Sequence, residues 1–184
     1  MNKAVISVLG PDRPGIIAAV TRMLFEKNCN IENVSQTILQ SEFSGIFIAA
    51  LPSEQSLADL HGYLEEGLTP LNHHVFVKPL EVTGPVFTMT SSEPFVITTK
   101  GPDRKGLVAA ITEIIARYGV NVTNLQALFK GGDDPNSNIM IYEVDIPTDI
   151  DQPGLYADLR AKATELSLQI SIQHRNIFEA INRI

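Results

Sequence analysis

The chain has 184 residues, 44% of them hydrophobic, which suffices for one ordinary domain or two small ones with real cores. Fourteen Lys and Arg stand against twenty-one Asp and Glu; the net charge of −7, with no local basic cluster, repels a phosphate backbone and argues against direct nucleic-acid binding. The single cysteine, Cys29, cannot form an internal disulfide, and residues 1–10 hold an apolar run too short for a signal or a membrane span, so a cytoplasmic chain with no membrane contact is expected.

Residues 3–9 are a short apolar run that stops at Gly10-Pro11-Asp12, the pattern of a strand ending in a turn. Ile16, Ile17, Val20, Met23 and Leu24 then recur at helical spacing, with Pro14 placed for a first helical position and Asn28 for a C-terminal stop. Residues 31–40 and 43–51, joined at Ser41-Glu42, are rich in β-branched and aromatic residues and predict a hairpin. Ser53 is placed to cap a second helix carrying Leu57, Leu60 and Leu64, and residues 74–78 read as a closing strand.

The same series then returns. Residues 10–34, GPDRPGIIAAVTRMLFEKNCNIENV, align without a gap on residues 101–125, GPDRKGLVAAITEIIARYGVNVTNL, at a constant offset of 91. Asp12 matches Asp103, Arg13 Arg104, Gly15 Gly106, Asn28 Gly119 and Asn30 Asn121, while the apolar stripe repeats as Leu107, Val108, Ile111, Ile114 and Ile115. A period of this length implies two domains rather than a solenoid unit. The second copy supplies a strand over residues 95–99, a helix from Arg104, a hairpin over residues 122–146, a helix containing Leu155 and Leu159, and a last strand with Leu168, Ile170 and Ile172 facing inward. The order βαββαβ predicts an α+β protein: two tandem ferredoxin-like domains, each a four-stranded antiparallel sheet with two helices on one face. The expected boundaries are domain 1 over residues 1–84, a linker or swapped strand over 85–94, and domain 2 over 95–184. The polar stretch at residues 130–138 reads as a solvent loop, with a lid or partner contact as the alternative.

Each repeated turn sets free helix N–H groups beside an acidic side chain. A carboxylate could accept those N–H bonds with help from the helix dipole, Gly15 or Gly106 would let it come close to the backbone, and Asp12 or Asp103 could accept from an ammonium group. Both charged ends of a free amino acid would then be paired. Asn30 and Asn121 can both donate and accept. A helix of about 14 residues nevertheless spans roughly 20 Å, so Asp12 and Asn30 should not share a ligand within one domain. Pairing of two copies about a pseudo-two-fold axis would bring the turn of one to the asparagine of the other. The candidate ligand-binding set is therefore Gly10, Asp12, Arg13, Gly15 and Asn30 with Gly101, Asp103, Arg104, Gly106 and Asn121. A structural alternative stands beside every one of them: helix caps or turn order for the aspartates, solvation or carbonyl bonding for the arginines, tight backbone packing for the glycines, and helix or strand ends for the asparagines. Lys105 in place of Pro14 sets the second turn apart.

Strand-GPDRPG-helix-CNIENV, repeated as strand-GPDRKG-helix-VNVTNL, resembles the ACT domain family over nearly the whole chain. The resemblance implies regulatory binding of a small amino acid at interfaces between paired domains, lined by the Asp12, Gly15 and Asn30 positions and their counterparts, and a homo-oligomer. Among two-domain members it implies an accessory regulator acting through a protein partner such as a DNA-binding transcription factor. No cofactor, metal or catalytic group is called for: Cys29 lacks a histidine partner, His61, His73, His74 and His174 do not form a zinc spacing, and Gly131-Gly132 lacks the rest of a phosphate loop. The expectation is a non-enzymatic regulator, with a constitutive protein-interaction module whose sites are empty as the alternative.

Overall fold

The structure is a computed structural model that describes residues 2–81, 91–129 and 138–182. It divides into two compact units, Met1–Val86 and Phe87–Ile184.

In the first unit, β1 (Asn2–Pro11) leads through a turn to α1 (Ile16–Glu26), then β2 (Asn30–Leu39), β3 (Glu42–Leu51), α2 (Leu57–Leu68), a 3-10 turn (Thr69–Leu71) and β4 (His74–Pro79). The sheet order is β2-β3-β1-β4, antiparallel throughout. The second unit repeats this with β5 (Ser92–Gly101), α3 (Leu107–Arg117), β6 (Asn121–Phe129), β7 (Asn138–Pro147), α4 (Gln152–Glu165) and β8 (Gln169–His174), in the order β6-β7-β5-β8. Both are ferredoxin-like. A further helix, α5 (Arg175–Asn182), follows β8 and was not anticipated.

The helical stripes point where their spacing sends them. Ile16, Val20 and Leu24 of α1 and Leu60, Leu64 and Leu68 of α2 are buried against Ala4, Ile6, Phe43 and Phe47 of the sheet. Leu107, Ile111, Ile115, Leu155 and Leu159 do the same work in the second unit, with Leu168, Ile170 and Ile172 packed against them. Removing this apolar surface from water stabilises each unit by roughly 25 cal/mol per Å² buried.

Helix ends are set by backbone conformation. Asn28 and Gly119 both take left-handed φ, 54° and 69°, and the next amides reach back five residues: Cys29 N–H to the Leu24 carbonyl at 2.9 Å, Val120 N–H to that of Ile115 at 3.1 Å. This closes the helix on its own orphan carbonyls, and Gly is the residue that takes that φ most cheaply. The starts differ from expectation. Pro14 lies in the turn, not in the helix, because Gly15 and Gly106 occupy the N-cap positions with φ of 93° and 88°. Ser53 does not cap α2 but bonds the Glu54 carboxylate; Ser56, three residues on, accepts from the Asp59 amide. The polar stretch over residues 130–137 and most of the segment between the units, 82–90, lie outside the described residues.

Candidate functional site

Each candidate turn joins the end of a central strand to the start of a helix. Asp12, Arg13, Pro14 and Gly15 are exposed, as are Asp103, Arg104, Lys105 and Gly106. Among the described residues no side chain caps either helix, and neither aspartate takes the capping role. First-turn N–H groups left without a protein acceptor face outward under the positive end of the helix dipole.

The glycines divide into two kinds. A Cβ added at Gly15 or Gly106 would meet nothing within 4 Å, so these residues are present for their positive φ and not for tight packing. The space over them is open to an incoming group. Gly10 and Gly101 are buried and face inward: a Cβ at Gly10 would stand 2.7 Å from the Asn72 carbonyl oxygen and from the His73 ring, and one at Gly101 would stand 2.7 Å from Leu168 and 3.0 Å from the Ser167 carbonyl oxygen. Their glycine identity serves packing against the loop that follows the second helix.

The arginines are engaged within the fold. Arg13 donates from its guanidinium to the Leu71 carbonyl and Arg104 to that of Leu166, in both units at the end of the second helix. The residues just beyond, Asn72 and Ser167, both have left-handed backbone, φ 60° and 57°. Each arginine thus ties the candidate turn to a helix end far away in sequence, which fixes the turn instead of reaching for solvent.

Asp12 and Asp103 are held differently. The Asp12 N–H donates to the Ser41 carbonyl at 2.7 Å, while among the described residues its carboxylate accepts no hydrogen bond. Asp103 Oδ1 accepts from Asn138 Nδ2 at 3.1 Å. Sequence reading placed Asn138 at the end of a loop; it is the first residue of β7 and only 6% exposed. His73, for which no zinc spacing was found, is 2% exposed, with Nδ1 2.8 Å from the Leu71 carbonyl and Nε2 buried without a hydrogen-bond partner among the described residues.

Asn30 and Asn121 are exposed at the first positions of β2 and β6, beyond the far end of the first helix. Eleven residues of helix separate each from its own turn, about 16 Å at 1.5 Å per residue. Neither unit brings its turn and its asparagine together. Elsewhere, burial pushes the Cys29 thiol up from its ordinary pKa, which makes it a poor nucleophile. Among the described residues, no group of three or more His, Cys, Asp or Glu could hold a metal ion, and no helix is long and apolar enough to cross a membrane.

A duplicated ferredoxin-like domain, each copy with an open glycine turn at the start of its first helix, defines a tandem two-domain α+β architecture. The family model for the ACT domain matches residues 2–78 and again residues 93–173, and the chain belongs to the ACT domain family. It is similar to a UPF0237 protein of Methanopyrus kandleri, 36% identical over 83 residues that cover 45% of this chain and 92% of that one. Two solved structures are similar over most of the chain: an unknown protein from Galdieria sulphuraria, with TM-score 0.74 and 21% identity over 94% of this chain and 98% of that one, and a protein assigned as a glycine cleavage system transcriptional repressor, with TM-score 0.67 and 21% identity over 94% and 96%. At that identity they share the fold.

Proposed function

We propose that this chain is a non-enzymatic regulator that binds a small free amino acid between the turn of one ACT domain and the leading asparagine of another, in the same chain or a second copy. The observation that carries the reading is the turn itself. An exposed aspartate, a glycine with open space above it and an uncapped helix start stand within four residues, and they stand so twice. An α-carboxylate suits the N–H groups and an α-ammonium suits the aspartate, so each charge of the ligand meets its opposite. Asn30 or Asn121 of the paired domain would complete the shell, consistent with a homo-oligomer. Binding would favour one arrangement of the paired domains and so alter contacts with a protein partner. By its likeness to the assigned glycine cleavage repressor, the chain would act as an accessory repressor through a DNA-binding transcription factor, in keeping with its own charge of −7.

Isothermal titration against the twenty amino acids, repeated on Asp12→Ala and Asp103→Ala, tests this. The expected result is binding of one or a few small amino acids, with a site lost in each variant. Absence of binding by the wild type, together with a partner interaction insensitive to every amino acid, would establish the constitutive interaction module instead.

A further inference from the structure

The two turns stand on different floors. In the first unit Gly10 pairs with Phe43, Val8 with Gly45 and Ile6 with Phe47; in the second Gly101 pairs with Asn138, Thr99 with Met140 and Ile97 with Tyr142. Paired residues in an antiparallel ladder share a face, here the one covered by the helices. Beneath the first turn that face is apolar, with Phe43 1% exposed and packed edge-on against His73 at 6.4 Å between ring centroids. Beneath the second it carries three buried polar side chains: Asn138, Thr99 and Tyr142. The Tyr142 phenol donates to Met140 Sδ at 3.2 Å.

A buried amide needs partners, and Asn138 finds one above it in Asp103. A carboxylate only accepts, so the amide presents its NH2 end to it. One carboxylate oxygen is thereby fixed, and among the described residues the other carries no hydrogen bond. Among the described residues Asp12 has no such anchor, since its equivalent floor residue is Phe43.

We propose that Asn138 is a positioning residue that holds the Asp103 carboxylate ready for a ligand ammonium group and makes the second turn the tighter of two unequal binding sites. This rests on the amino-acid-binding reading above. Ordering one flexible side chain on binding costs about 0.5–1.5 kcal/mol, so a site where it is already ordered should bind roughly two- to tenfold more tightly.

The test has two parts. Three-bond Hα–Hβ couplings, measured without ligand, should show a single Asp103 rotamer in the wild type and averaging at Asp12, with Asp103 becoming averaged in Asn138→Leu. Asn138→Ser, which keeps a polar group but withdraws the amide, covers the case in which the leucine variant does not fold. Glycine is then titrated into Asp12→Ala, which leaves the second turn, and Asp103→Ala, which leaves the first; the former should bind two- to tenfold more tightly. Adding Asn138→Leu to Asp12→Ala should remove that advantage for glycine while leaving glycolate, which has the carboxylate but no ammonium, unchanged. Averaged couplings at Asp103 in the wild type overturn the proposal, as does equal loss of glycine and glycolate, which marks a scaffold role. An ordered Asp103 with no binding of any amino acid overturns the sensing reading, and the inequality of sites falls with it.

Discussion

Replacing Gly15 with alanine separates the two reasons a glycine can be needed. At φ 93° an L-residue pays the left-handed penalty of about 1–2 kcal/mol, and the added Cβ meets nothing within 4 Å, so no steric cost is added. The smaller unfolded-state entropy of alanine offsets a few tenths to 1 kcal/mol of this. The net loss should be about 1 kcal/mol, which lowers the melting temperature by roughly 4–8 °C for a unit of this size. Gly106→Ala should cost the same, because its φ is 88° and its surroundings are as open. Gly10→Ala should cost distinctly more, since its Cβ would lie 2.7 Å from the Asn72 carbonyl oxygen and the chain itself must move. Thermal melts of the three variants give the ranking, and titration with the bound amino acid on Gly15→Ala gives the functional half: the methyl group enters the space assigned to the ligand and should weaken binding by more than the melt explains. A Gly15→Ala protein that melts with the wild type, or that binds its ligand unchanged, would refute the reasoning.

Two further outcomes follow from the cores. Burial pushes the Tyr142 hydroxyl up to about 12, with Thr99 pulling weakly the other way; because the folded pKa lies above the unfolded value near 10, the contribution is intact below pH 10 and is lost as pH rises toward 12. Alkaline unfolding of the second unit followed by circular dichroism should therefore steepen in that window and flatten in Tyr142→Phe. Leu64, fully buried between α2 and the sheet of the first unit, should cost about 2–5 kcal/mol as Leu64→Ala, read as a fall in the denaturant midpoint with little change in slope.

How much of this was legible beforehand depends on the range of the interaction. Helical spacing of Ile16, Val20 and Leu24, the alternation through Ile170 and Ile172, and the left-handed stops at Asn28 and Gly119 are local, and the amino acids alone dictate them. The repeat then made the architecture legible, because two chains of residues that bury the same stripe must fold the same way. Helix starts were misjudged at Pro14 and Ser53, where several residues could serve and only backbone geometry chose among them. The signal for Asn138 was present: it shares its alternation with Met140, Tyr142 and Val144, which places it on the buried face, yet its neighbours read as a loop.

What the order of residues determined was the pair of turns, their aspartates and glycines, and the two βαββαβ series around them. Tertiary structure alone decided what each turn residue does. Arg13 meets the Leu71 carbonyl across 58 positions and Arg104 that of Leu166 across 62, and Asp103 meets Asn138 across 35. Such partners are chosen by which strands lie side by side, a property of the folded sheet that no local pattern carries. The same sheet placed Gly10 and Gly101 inward and left Gly15 and Gly106 open, so identical glycines in one motif came to serve packing in one case and access in the other.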